Sequence, residues 1–350
     1  MFFERIPLLQ NNKIRIGIIG AGQNTKKIHL PKLLALPGVE VLEVANRTIE
    51  STKIAAEEFN IPILRDSWME VATSPNLSAV VIGTWPDLHC PATCLALESG
   101  KHVLCEARMA MNHAEARKML DTSLNHPELV AQLVPAPFSL HADTFIANLM
   151  QDLGKILFFH VDYQSAPLAV PQNFLHWRKN LKFSGMNVMT LGIIYESLLR
   201  WLPPAQWVKA EARTFNETAI DPETGDSVQI EIPDYLSVQM HLQEDISGSM
   251  LISETGSDKP QVKIVGQKGT LVLEFIPDGK LYFGPHGQIK EIPIPKNLRG
   301  SWKVEEEFIN AIRRKTPFTH TSFATGVEYM RFTEAVYRSY RNNGTKVPLP

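Results

Sequence analysis

Two groups of residues in this 350-residue chain have the type and spacing to do chemistry. The first begins with Ile14-Arg-Ile-Gly-Ile-Ile-Gly-Ala-Gly22, an apolar run that ends in a glycine turn. Such a turn lets backbone N–H groups and a helix N-terminus approach a pyrophosphate. Gly20 and Gly22 make the turn, Gln23 and Asn24 follow it, and Thr25 stands where a third glycine is usual. Alone the motif is weak, because glycines also simply turn a chain. The next apolar run ends in Ala45-Asn46-Arg47-Thr48, with Lys53 about a turn and a half later. An acidic residue there would hold the ribose hydroxyls of NAD, whereas a cation would hold the 2′-phosphate of NADP. Asn46, Arg47 and Thr48 therefore favour NADP(H), with NAD(H) the alternative. Thr48 suits an ordinary helix N-cap equally well.

The second group has the types needed to handle a substrate. His176-Trp-Arg178 offers an imidazole and a guanidinium that can reach an acidic or carbonyl group, although His176 fits a structural histidine and Arg178 a surface ion pair. The segment from Ser184 to Trp201 reads as a helix, and residues three and four apart share a helix face. Asn187, Thr190, Ile194 and Ser197 then line up, with Met186 and Ile193 beside them. Tyr195 joins the candidates only if that helix is irregular. In the run Gly100-Lys-His-Val-Leu-Cys-Glu-Ala-Arg-Met-Ala-Met111, Arg108 can clamp a carboxylate or phosphate but is a poor acid or base.

These residues need a scaffold. The first third of the chain alternates short β-branched runs with helical segments, the pattern of a parallel sheet covered on both faces. Strands are expected at Ile14–Ile19, Val39–Ala45, Ala79–Ile82, His102–Cys105 and Leu129–Gln132, with helices through Lys26–Leu36, Ile49–Phe59, Pro91–Glu98 and Ala114–Ser123. That is a doubly wound α/β Rossmann domain over residues 1–136. After Pro135 and Pro137 the pattern changes. Leu236, Val238, Met240 and Leu242 alternate with Ser237, Gln239 and His241, as in a strand with one covered face. Val262–Val265, Gly266-Gln-Lys-Gly269 and Leu271–Phe275 read as a hairpin, and Gly225 and Gly279 mark other turns. Residues 137–350 are expected to form an α+β domain with a largely antiparallel open sheet. Two final helices, around Trp302–Arg314 and Phe323–Arg341, are placed on that sheet, with the last one able to pack back on the first domain.

Composition narrows the function classes. At 44% hydrophobic and 21% charged, with a formal net charge of -2 and no basic block, the chain has no general attraction to nucleic acid or anionic membranes. Met1-Phe-Phe-Glu-Arg-Ile-Pro7 meets charges too early for a signal peptide, and no segment is expected to span a bilayer, so a cytoplasmic protein is expected. Cys90, Cys94 and Cys105 show no zinc-ligand spacing and read as buried thiols; no metal is expected.

The GKHVLCE run resembles the GKHVxxEKP motif that ends the fifth strand in the Gfo/Idh/MocA family of oxidoreductases. The resemblance covers nearly the whole chain, with the glycine turn, His29-Leu-Pro31 and Thr84-Trp-Pro-Asp-Leu-His89 in family order. It implies that Thr84, Trp85, Pro86, His89 and Glu106 join the cofactor site. It also implies a dimer or tetramer built on the open sheet. In the family, the lysine of Glu-Lys-Pro acts with an aspartate and a histidine of the second domain to deprotonate a sugar or polyol hydroxyl during hydride transfer. Here those three positions are Ala107, Thr190 and Ile194. The expected activity is NAD(P)-dependent hydride transfer on a small molecule that is not a simple polyol, such as an imine or conjugated double bond. A sugar or polyol dehydrogenase with relocated acid-base residues, and a non-catalytic cofactor-binding protein, are the alternatives. General acid-base catalysis contributes roughly 10² to 10⁴ in rate, so its loss handicaps alcohol oxidation most.

Overall fold

The computed structural model describes residues 13–165, 174–256 and 259–349, which form two compact units. Met1–Pro7 lies outside the described residues. The first unit takes the chain up to Ala110, then Ala114–Val134 and Lys303–Gly326. Its strands are β1 (Ile14–Ile19), β2 (Val39–Ala45), β3 (Ile63–Leu64), β4 (Ala79–Ile82), β5 (His102–Cys105) and β6 (Ala131–Leu133). They pair in the order β3-β2-β1-β4-β5-β6, all parallel. The expected Rossmann sheet is therefore present. Ile16, Ile18 and Ile19 of β1 and all of β4 are fully buried, which is why these strands read as apolar runs rich in β-branched residues, broken in β1 only by Arg15 and Gly17.

Local differences from the sequence reading have local causes. The helix expected from Pro91 runs from Pro86 to Glu98, because Pro86 takes the first helical position behind Trp85 and leaves Pro91 inside. Strand β6 is shifted to Ala131–Leu133 by its register against Val103–Cys105. A short helix at Trp68–Thr73, capped by the Ser67 hydroxyl accepting from Met69 N–H, was not foreseen. Finally, the helix Val304–Ile312 belongs to the first unit rather than to the second-domain sheet.

The second unit holds Met111–His113, Pro135–Trp302 and the chain from Val327. Its sheet has nine strands, antiparallel except for one parallel pair between Ile156–Gln164 and Ile246–Ser253. Strand Tyr235–Leu242 buries Leu236, Val238, Met240 and Leu242, as its alternation requires. The hairpin between Gln261–Gly266 and Thr270–Glu274 closes with Gly266 N–H donating to Gly269 C=O at 3.0 Å.

The segment expected as one helix from Ser184 is broken. A short helix ends at Ser184, and the next runs only from Leu191 to Leu198. Gly185 at φ +59° lies so close to Met111 that a Cβ would stand 2.3 Å from its carbonyl oxygen, and Met189 is also left-handed at φ +45°. Asn187 is therefore off the helix and does not share a face with Thr190.

Candidate nucleotide-binding site

The site is built at the C-terminal ends of β2, β1, β4 and β5, the edge at which open α/β sheets bind ligands. Gly20 follows β1 at φ +85°, and a Cβ there would stand 2.7 Å from Thr84 N and 2.9 Å from Gly83 C. Only glycine fits that turn. Thr25, in the place of a third glycine, donates its hydroxyl to Gly20 C=O at 3.1 Å. Its space comes from Gly83, where a Cβ would meet Thr25 Oγ1 at 2.0 Å. Gly22, Gln23 and Asn24 are exposed and lead into a helix, so their N–H edge is open to an anion. A Cβ on Gly22 would meet only Gly83 O, at 3.5 Å, and would intrude on this cradle without disturbing the fold. The cradle suits a pyrophosphate.

Asn46 fastens the turn to β2. Its Oδ1 accepts from Ala21 N–H at 2.6 Å and its Nδ2 donates to Ser51 C=O at 2.8 Å. Thr48 caps the helix Ile49–Phe59, its hydroxyl accepting from Ser51 N–H at 3.2 Å. Arg47 is exposed and carries its guanidinium carbon 5.5 Å from the centre of the Trp85 ring. Thr84 and Trp85 border the same edge, and Pro86 is buried behind them.

The chain between Thr25 and His29 forms a π turn, a feature often found at functional sites. It presents the fully buried His29 to two carboxylates, with Nδ1 2.6 Å from Glu305 Oε1 and Nε2 2.9 Å from Glu106 Oε1. Asn24 Nδ2 donates to the same oxygen of Glu106, and Ala107 N–H donates to its Oε2 at 3.1 Å. Burial alone would push the His29 pKa down, but hydrogen bonds and charge from Glu106 and Glu305 overcome it and raise the value to about 9. Burial likewise opposes ionisation of Glu106, yet the His29 and Asn24 contacts hold its carboxyl below the usual range. At neutral pH this is an imidazolium between two carboxylates. His29 and Glu305 were not singled out from sequence as site residues; His29 sits in the His-Leu-Pro motif, but Glu305 lies 276 residues away among three consecutive glutamates.

His89 is buried, with Nδ1 2.8 Å from Arg108 C=O and Nε2 3.1 Å from Thr84 C=O. Burial lowers its pKa, and the two carbonyls act against that. It ties the loop after β4 to the loop after β5. Arg108 itself is 3% exposed.

The second unit holds the other sequence-derived candidates. His176 opens a short turn and accepts from Arg178 N–H through Nδ1 at 3.2 Å, while the exposed Arg178 stacks on Trp177 at 4.4 Å. Asn187 is buried and donates Nδ2 to Ser184 C=O at 2.7 Å. Thr190 is half-buried at the start of the helix Leu191–Leu198, and Ile194 is fully buried. Tyr195 lies in the core, stacked on Phe332 at 3.7 Å, and its hydroxyl accepts from Ala205 N–H at 2.8 Å. Arg200, a few residues on, anchors this helix through Asp143 and Glu196, both at 2.7 Å.

A family profile described as the NAD-binding Rossmann fold of an oxidoreductase family, Gfo/Idh/MocA, matches residues 14–132. Its C-terminal alpha/beta domain matches residues 147–349. The chain belongs to the Gfo/Idh/MocA oxidoreductase family. Among curated Gfo/Idh/MocA relatives, trans-1,2-dihydrobenzene-1,2-diol dehydrogenase of Mus musculus is 38% identical over 292 residues, covering 81% of this chain and 80% of its own. The Sus scrofa protein of that name is 26% identical over 290 residues, covering 81% and 80%. A levoglucosan dehydrogenase in complex with NADH and L-sorbose shares the fold, with a TM-score of 0.83 at 18% identity over 97% of this chain and 99% of that one. Among the described residues no helix is long and apolar enough to cross a membrane, and no group of three His, Cys, Asp or Glu side chains could hold a metal ion.

Proposed function

We propose that this chain is an NADP(H)-dependent oxidoreductase for a substrate whose own electronic structure eases hydride transfer, rather than for a simple sugar or polyol. The observation that carries the reading is Ala107, which follows Glu106 where the family lysine stands, beside a nucleotide cradle that is otherwise intact. Without a lysine amine near the reacting carbon, an unactivated alcohol loses the proton acceptor it needs. Conjugated carbonyls and imines accept hydride and take their proton from solvent or a nearby donor. A cyclic dihydrodiol gives its hydride to NADP⁺ and its hydroxyl proton to water, a step favoured because the product rearranges to an aromatic ring. The diol in the relatives' name fits this class: its ring is mostly hydrocarbon, and oxidation leads towards an aromatic product.

When bound, the nicotinamide supplies or accepts the hydride. His176 offers the substrate-side polar group. Its Nδ1 lone pair is engaged by Arg178 N–H, which places the ring proton on Nε2. Burial, and then the charges of Arg178 and Lys179, keep its pKa below the usual value, so the ring is neutral at pH 7. Nε2–H then donates to a carbonyl or imine group, with Arg178 beside it to orient an acidic substituent. A second role for His176 as a recruited base for hydroxyls is the competing possibility. Screening polyols with NADP⁺, and enones and imines with NADPH, separates the two. His176→Ala is expected to lower turnover of the activated acceptors about a hundredfold while leaving cofactor affinity unchanged. Strong NADP⁺ reduction by polyols that disappears in His176→Ala would overturn the proposed substrate class, and silence in both screens would point to a cofactor-binding protein without catalysis.

NADPH is expected to bind more tightly than NADH, because β2 ends in Asn46-Arg47-Thr48, a cation where an acidic residue would select the ribose hydroxyls of NADH. One charge-assisted contact is worth roughly ten- to a hundredfold. Titration of both cofactors checks this; equal affinities, or an Arg47→Ala variant with unchanged preference, would contradict it.

The sheet face turned away from the helices is the proposed self-association surface. Phe158, Ser247, His241 and Trp207 form one cross-strand row on it, with Phe158 44% exposed. A dimer or tetramer covers such a row. Light scattering that reports a monomer across a wide concentration range would rule this out. The three cysteines are free and buried, which suits a cytoplasmic compartment.

A further inference from the structure

Strand β1 lies between β2 and β4 in the sheet, so the ends of β2 and β4 are two strand spacings apart, about 10 Å. Arg47 lies two residues past the end of β2, and Trp85 three past the end of β4. Their side chains nevertheless meet, with the guanidinium 5.5 Å from the indole centre. They therefore reach towards each other across the edge where the glycine turn follows β1. A planar ring lying between two others needs about 3.5 Å on each side, or about 7 Å in all. No base fits between this pair as it stands. Trp85 is the less movable member: its backbone caps the helix Pro86–Glu98 at φ -86° and ψ 162°, and the Thr84 carbonyl before it is held by His89. Arg47 is exposed on a long flexible stem.

We propose that Trp85 is the platform on which the adenine of the cofactor stacks, and that Arg47 occupies this platform until the base displaces it towards the ribose phosphate. The proposal rests on the reading of this edge as a dinucleotide site, and it assigns Trp85 a role shared by NADPH and NADH while Arg47 alone discriminates between them. Stacking of a base on an aromatic side chain outweighs an exposed cation–π contact, so the exchange runs in the required direction.

Calorimetric titration of the full chain with NADPH, NADH and adenosine 2′,5′-bisphosphate tests this. Trp85→Ala is expected to weaken NADPH and NADH by the same factor, roughly tenfold, with Trp85→Phe restoring most of the loss. Arg47→Ala is expected to weaken NADPH and the bisphosphate but to leave NADH binding at least as tight as before. In the unaltered protein the bisphosphate should change tryptophan fluorescence, and Trp85→Phe should abolish that change with its melting temperature preserved. Unchanged affinities in Trp85→Ala, or a loss confined to NADPH, would overturn the proposal, the latter because Trp85 would then act only by holding Arg47. If Arg47→Ala leaves the cofactor preference intact while Trp85→Ala weakens both cofactors, the NADP assignment fails and the adenine platform stands.

Discussion

Alanine at Gly20 is expected to reduce NADPH affinity on the order of a hundredfold, equivalent to about 2.7 kcal/mol. The added Cβ would press on Thr84 N at 2.7 Å and Gly83 C at 2.9 Å, both main-chain atoms that cannot swing aside. The residue must also keep φ +85°, a conformation that costs an L side chain roughly 1 kcal/mol or more. The turn and the loop after β4 would have to separate, and both border the pyrophosphate cradle. Gly22→Ala distinguishes binding from folding. Its Cβ makes only an ordinary contact with Gly83 O at 3.5 Å, so the melting temperature should hold while NADPH affinity falls. A Gly22→Ala protein that binds NADPH normally would show that the phosphates do not approach this turn.

Removing Glu305 is expected to produce the largest loss of stability. Breaking one member of a buried charged cluster typically costs about 3–5 kcal/mol, roughly 10 °C or more in the melting temperature of a unit this size. Glu305→Ala leaves His29 between one carboxylate and an empty space. The pH dependence identifies the cause. His29 has a folded pKa raised from 6.5 to about 9, so its contribution is fully present below pH 6.5 and is lost as pH rises through 9. A shift of that size corresponds to about 3 kcal/mol. Glu106 works in the opposite direction, since its depressed pKa means that its share is lost on acidification. Unfolding of the full chain followed between pH 6 and pH 10 should show a decline that Glu305→Ala flattens. A variant that retains the same alkaline decline would mean that another group titrates there.

How much of this was visible in the sequence depended on how local the cause was. Strands β1, β2, β4 and β5 were placed at their observed bounds because most of their residues are apolar and buried, and each run stops at turn or polar residues. The hairpin turn at Gly266–Gly269 and the glycines after β1 were legible because glycine itself marks a tight turn. Pro91 misled the start of its helix, since a proline five residues earlier takes the first helical position. The break at Gly185 and Met189 depends on packing against Met111, which helical periodicity does not report. Contacts made across long stretches of chain were the least visible. Nothing near Glu305 signals His29, and three adjacent glutamates read as a solvated helix start. Tyr195 shows the converse, a polar side chain that could serve a site but whose hydroxyl is taken up by the Ala205 amide in the core.

The most direct test is the rate of NADP⁺ reduction by the purified protein with a cyclic trans-dihydrodiol and, in parallel, with myo-inositol at equal concentration. Replacement of the lysine by Ala107 predicts measurable turnover of the dihydrodiol and a rate at least about a hundredfold lower with inositol. Inositol turning over as fast as the dihydrodiol would contradict the account.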